Sequence, residues 1–108
     1  MKKFIEPDGL INGIRIYPIT QEIILSPGTY KRGDLLGLVA GKHGLIGETG
    51  FEASTFNAVL CEDIVLTEDT PVMAYTNGEF QESKTRTKTG FDIETLKPVA
   101  RKLQIFIK

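Results

Sequence analysis

Glycine and proline, 11 and 5 of the 108 residues, are spread through the whole chain and cut it into short pieces. Between the breaks lie runs rich in Ile, Val, Leu, Tyr and Phe. Gly and Pro interrupt regular structure, and β-branched and aromatic residues fit a pleated, half-buried surface. This rhythm predicts a mostly β domain of many short strands.

The first 17 residues read as an extended arm and residues 18–108 as one domain. Pro7, Gly9 and Gly13 break any helix in the arm, and Asp8-Gly9 and Asn12-Gly13 are turn dipeptides. Ile14 to Tyr17 alternates as a strand that Pro18 interrupts. Gln21 to Leu25 reads as a second strand, and Ser26-Pro27-Gly28 as a turn. Leu35 to Ala40 reads as a buried strand, with Gly37 as a bulge or a point of close contact. Residues 41–56, with four glycines, read as a loop. Asn57 to Cys61 and Ile64 to Leu66 are further strands. Residues 71–80 read as a hairpin turning at Asn77-Gly78, a pair that suits a type I′ turn. Polar residues 82–91 read as a loop or weak edge strand. A short helix fits 95–103, with Thr95 as its cap, Pro98 in the first turn, and Leu96, Val99, Ala100 and Leu103 on one face. Ile105 to Ile107 closes the chain as an apolar strand.

At this length one core is available, burying roughly 60–70% of the unfolded surface, so self-association is a natural source of extra stability. The net charge of −1 argues against a broad nucleic-acid-binding face. The basic start, Met1-Lys2-Lys3, is not followed by the apolar stretch of a secretory signal, and no apolar run approaches the ~20 residues of a membrane span. A chain made and used without export, with no membrane contact, is the expectation.

Catalytic chemistry has little to work with. His43 is the single histidine and reads as a surface-loop residue with no second ligand at zinc spacing. Cys61, the single cysteine, lies in the apolar run Ala58-Val59-Leu60-Cys61 and reads as a small buried hydrophobe. A nucleophile pair of Cys61 and His43 is the one enzymatic reading, a small hydrolase, and the apolar setting of Cys61 counts against it. Glu62-Asp63 and Glu68-Asp69 are neighbours, and strand neighbours point to opposite faces rather than converging. The glycines of 41–50 match no phosphate-binding pattern. Lys84, Arg86 and Lys88 read as a solvated edge. No catalytic, cofactor or metal site is expected.

The stretch Thr29-Tyr30-Lys31-Arg32-Gly33-Asp34-Leu35-Leu36-Gly37 contains the cell-adhesion tripeptide Arg-Gly-Asp. Without export that reading fades, and no helix follows the glycine to complete an anion cradle. It reads as a turn entering a strand: Gly33 allows the bend, Lys31 and Arg32 stay in water, and Leu35-Leu36 enter the core. Asp34 is expected to be incidental to function, so that Asp34→Thr is silent in binding.

The order of these pieces resembles the lambda-type head decoration proteins of tailed bacteriophages. The segment from Gly28 to Gly37 is similar to that family's Tyr-Lys-Arg-Gly-x-x-Leu-Gly entry to the core. Ala58 to Ile64 is similar to its Ala-x-x-Leu-x-Glu-Asp strand, Ala74 to Phe80 to its tyrosine hairpin ending in Gly-x-Phe, and Leu96 to Lys108 to its closing helix and strand. The likeness covers roughly residues 20–108. It departs at Gln104, where members often have glycine, which implies a strained helix end or a different one.

The resemblance implies a mostly β, β-clip-like small barrel with one short C-terminal helix. It implies homotrimers on the outside of the expanded phage head, bound to the major capsid protein, with no enzymatic activity and no direct contact with nucleic acid. The arm is then the capsid-binding segment, adding a strand to the capsid protein, with Phe4, Ile5, Leu10, Ile11, Ile14 and Ile16 as its apolar anchors. The competing reading is a non-enzymatic β-barrel adaptor module of a prophage or bacterial host.

Overall fold

The computed structural model describes residues 19–108. The arm and its six anchors lie outside the described residues, as does the strand expected at Ile14 to Tyr17. Eight strands follow: β1 (Ile19–Leu25), β2 (Gly28–Tyr30), β3 (Leu35–Val39), β4 (Lys42–Leu45), β5 (Phe56–Leu60), β6 (Ile64–Leu66), β7 (Thr70–Phe80) and β8 (Ile105–Ile107). One helix, α1 (Lys97–Lys102), precedes β8. The protein is mostly β with a small closed five-strand barrel and a short C-terminal helix. The barrel closes in the order β1-β4-β3-β5-β7 and back to β1, and β8 extends it by pairing with the far end of β7. β2 and β6 form a separate two-stranded ladder.

Apolar doublets in three strands follow from a wall covered on both sides. Leu36, Leu60 and Ala74 point into the barrel, with Ile23, Leu25, Tyr30 and Val72. Their neighbours Leu35, Val59 and Tyr75 point outward into a second core with Phe80, Leu96, Ala100 and Ile105. Leu35, Val59 and Tyr75 are in register across β3, β5 and β7, so one row of the wall supplies one face of that outer core.

The helix lies on this outer core. Leu96 and Ala100 are buried, and Val99 and Leu103 pack against the cluster, as the helical spacing predicts. Burying one leucine such as Leu96 stabilises by roughly 1.5–3 kcal/mol. Pro98 falls in the first turn, where no intrahelical N–H is lost. Thr95 is not the cap. It ends a 3-10 turn, Ile93–Thr95, capped by Asp92, whose Oδ1 accepts the Glu94 N–H at 3.1 Å. The Thr95 hydroxyl donates back to the Asp92 carbonyl at 2.7 Å. Gln104 has φ 64, so of the two helix ends that the departure from the family pattern left open, the strained left-handed one is found.

Two turns differ from expectation. Residues 41–56 are not a loop throughout: Lys42–Leu45 is β4, and Ala53–Thr55 is a 3-10 turn. The two-residue hairpin lies between β3 and β4 at Ala40-Gly41, both with positive φ (52 and 81), where Val39 pairs with Lys42. Asn77-Gly78 makes no turn; β7 runs straight through it. Distant pairing overrides the local preference there. Gly78 to Phe80 align with Ile105 to Ile107 of β8, and Gly78 N–H donates to the Gln104 carbonyl at 3.0 Å. Gly37 is a contact point as foreseen, since a Cβ there would stand 2.3 Å from the Thr55 hydroxyl. The register shift beside it places the extra residue, Asn57, on β5.

Candidate functional site

The turn before β3 is a locked node. Asp34 N–H donates to the Lys31 carbonyl at 3.0 Å, closing the turn, and Gly33 takes φ 95. The Asp34 carboxylate is fully buried and returns to the turn by accepting the Lys31 N–H at 2.9 Å. Arg86 then closes on it with Nε and Nη2, each 2.6 Å from a carboxylate oxygen. Hydrogen bonding to Asp34 holds the Arg86 guanidinium above its already high ordinary value. Backbone bonds double this tie: Leu35 N–H to the Arg86 carbonyl, 2.9 Å, and Arg86 N–H to the Gly33 carbonyl, 3.1 Å. Asp34 is therefore a structural residue that holds the turn, and Arg86 is not merely a solvated edge charge.

Arg32 is half-buried rather than wet. Its Nη1 donates to the Cys61 carbonyl at 2.8 Å and to the Tyr75 hydroxyl at 3.0 Å, and its guanidinium carbon lies 5.6 Å from the Tyr75 ring centre. Its N–H donates to Asp63 at 2.7 Å. Lys31 alone of the pair stays exposed, as expected. With Asp34 buried and Arg32 held against Tyr75, the Arg-Gly-Asp tripeptide is not displayed.

His43 is buried at 4% exposure, not on a surface loop. It lies in β4 opposite both Leu25 and Leu38, so its ring shares their face at one end of the barrel. Nε2 lies 2.7 Å from the Asn57 side-chain oxygen, and Nδ1 is buried with no hydrogen-bond partner among the described residues. Asn57 reaches it because the bulge turns that residue out of the strand's alternation. Cys61, half-buried, packs against the outer core, on the other side of the wall from the His43 face. The structure does not assemble the nucleophile pair. Glu62-Asp63 and Glu68-Asp69 sit in exposed bends, as expected.

A groove of about 380 Å³ runs between Ser26–Tyr30 and Gly44–Phe51. Its one carboxylate, Glu48, is bound to Lys88 at 3.3 Å, and no histidine, cysteine or second acid lines it. Among the described residues no group of three His, Cys, Asp or Glu side chains can hold a metal ion. No helix among them is long and apolar enough to cross a membrane.

β1 begins at Ile19, whose N–H donates to the Asn77 side-chain oxygen at 2.7 Å and whose carbonyl accepts the Thr76 hydroxyl at 3.2 Å, so Asn77 ties down the start of that strand. β1 and β7 carry two exposed apolar side chains on one face, Ile24 opposite Pro71 and, two residues along, Met73 opposite Glu22. The sequence signal for Ile24 was the run Ile23-Ile24-Leu25, where a strand buried on one face calls for a polar middle residue. No family model matches the chain, and no curated protein matches it significantly.

Proposed function

We propose that this chain is a capsid decoration protein, binding as trimers to the outside of an expanded phage head and reinforcing it against the pressure of packed DNA. The observation that carries the reading is where the four resembling segments fall. They supply the turn into β3, the wall strand β5, part of β7, and the α1–β8 unit that covers the outer core. Ala74 to Phe80 runs on as strand rather than as the hairpin the resemblance implies, so the support comes from the other three segments and from the mostly β barrel with its short C-terminal helix.

The work in this reading is mechanical. Each trimer bridges neighbouring capsid subunits and adds interface that rupture must break. The arm ahead of Ile19 supplies the capsid contact by strand addition, through Phe4, Ile5, Leu10, Ile11, Ile14 and Ile16. Three arms on one trimer raise the local concentration of weak contacts. The major capsid protein is the partner, the virion surface the location, and no cofactor or catalytic group takes part. The test is sedimentation of the protein with expanded, undecorated capsids of the encoding phage. Removing residues 1–13 abolishes capsid binding and leaves self-association intact. A free-standing adaptor module would ignore the capsids.

A further inference from the structure

Asn77-Gly78 has the composition of a turn and lies in a strand. The pair also carries chemistry of its own. Glycine leaves its nitrogen unhindered and its backbone free to bend, so that nitrogen can reach the side chain of a preceding asparagine. Attack on the side-chain carbonyl carbon closes a succinimide ring and expels ammonia, which carries off the proton of the attacking nitrogen. Water then opens the ring on either side, leaving aspartate or its isomer isoaspartate.

The fold holds both reacting groups back. Gly78 is buried, and its N–H donates to the Gln104 carbonyl at 3.0 Å, so the nucleophile is engaged. The Asn77 side-chain oxygen accepts the Ile19 N–H at 2.7 Å, so the group under attack is held toward β1. Two strands share this grip, because β7 changes partner here: Asn77 pairs with Ile19 of β1 and Gly78 with Ile105 of β8. Thr76, the extra residue of the register shift, interrupts the ladder on the β1 side. A side chain at position 78 cannot relieve the hazard without strain, since Gly78 takes φ 136, which residues with a Cβ rarely adopt.

We propose that Asn77-Gly78 is a spontaneous modification site that β8 and Ile19 keep closed, and that its isoaspartate product is a one-way release of the start of β1. The aspartate product keeps a side-chain oxygen in place for the Ile19 N–H. Isoaspartate adds a carbon to the backbone of β7 and shortens the side chain, so that acceptor and the register beyond it are lost. Neither the inference nor its test involves a capsid.

The test follows the peptide Thr70–Glu79, released by a protease that cuts after acidic residues, by mass spectrometry that separates aspartate from isoaspartate. This reads the pair apart from Asn12-Gly13, the other Asn-Gly in the chain. Full-length protein is kept at mildly alkaline pH in buffer and in unfolding urea. The pair reacts in urea, and at least about tenfold more slowly in the folded chain, as for a site that reacts only through local opening. Ile19→Pro removes the N–H that holds Asn77, at the first residue of a strand, where proline is tolerated. With its fold confirmed by urea unfolding, it reacts severalfold faster in buffer and no faster in urea. In the isolated isoaspartate form the Ile19 amide exchanges its hydrogen faster than in the unmodified chain, while Asn77→Asp keeps it slow. A folded rate equal to the urea rate overturns the proposal, and so does an absence of reaction in urea. An unchanged rate in folded Ile19→Pro overturns the part given to Ile19, and unchanged Ile19 exchange in the isoaspartate form overturns the release.

Discussion

Arg86 grips Asp34 through two parallel hydrogen bonds of 2.6 Å, joining residues 52 positions apart. The carboxylate has no solvent exposure, while the guanidinium side chain keeps 42% of its own. The pair pins the polar segment 82–91 to the entry of β3, and through the Leu35 and Gly33 backbone bonds it fixes where the barrel wall begins.

Removing either partner therefore acts on stability. Asp34→Thr loses the acceptor of three hydrogen bonds and is expected to destabilise by about 2–3 kcal/mol, below the 3–5 typical of fully buried pairs because Arg86 is half in water. Arg86→Ala leaves a buried carboxylate without its cation and falls in the same range. Urea unfolding of the two single variants and the double variant checks this. The double variant should lose clearly less than the sum.

Ala40 occupies a left-handed conformation, φ 52, at the first position of the β3–β4 turn. A side chain other than Asn, Asp or Gly is strained there by roughly 1 kcal/mol. Ala40→Asn builds the Asn-Gly pair that the turn prefers and should stabilise by about 0.5–1 kcal/mol, read as a higher urea midpoint with an unchanged slope.

Tyr30 is buried, and burial pushes its phenol above the ordinary 10.0, with the charges of Asp34 and Glu48 adding to the shift. Its hydroxyl donates to the Ser26 carbonyl at 2.8 Å. The folded chain holds this proton more tightly than the unfolded one. The resulting stability is complete below pH 10 and is lost as pH rises through the folded value. Ultraviolet titration of tyrosinate should show a late-ionising step, absent in Tyr30→Phe.

Asn77 ties down the start of β1. Asn77→Ala removes the acceptor of the Ile19 N–H and should cost about 1 kcal/mol at that junction. Hydrogen exchange of the Ile19 amide should accelerate, with the amides of β5 unaffected.

The strands were legible where neighbours agree with the fold. Leu35-Leu36 and Val59-Leu60 announce a wall with two covered faces, and the Leu96–Ala100 spacing announces the helix. What escaped depended on distant partners. Asn77-Gly78 has every local mark of a turn, but β8 supplies the ladder that keeps it extended. The true hairpin hid behind Ala40, a residue that turns of this kind disfavour. His43 read as a surface-loop group and the structural part of Asp34 went unseen because their partners, Asn57 and Arg86, are far away in sequence. The exposed pair of Ile24 and Met73 required the β1–β7 register before it could be seen at all.

Capsid decoration is tested most directly by sedimentation of the purified chain with expanded, undecorated capsids of the encoding phage. Saturable co-sedimentation is expected, lost when residues 1–13 are removed. Protein remaining wholly in the supernatant, with capsids proven competent by an independent decoration assay, would contradict it.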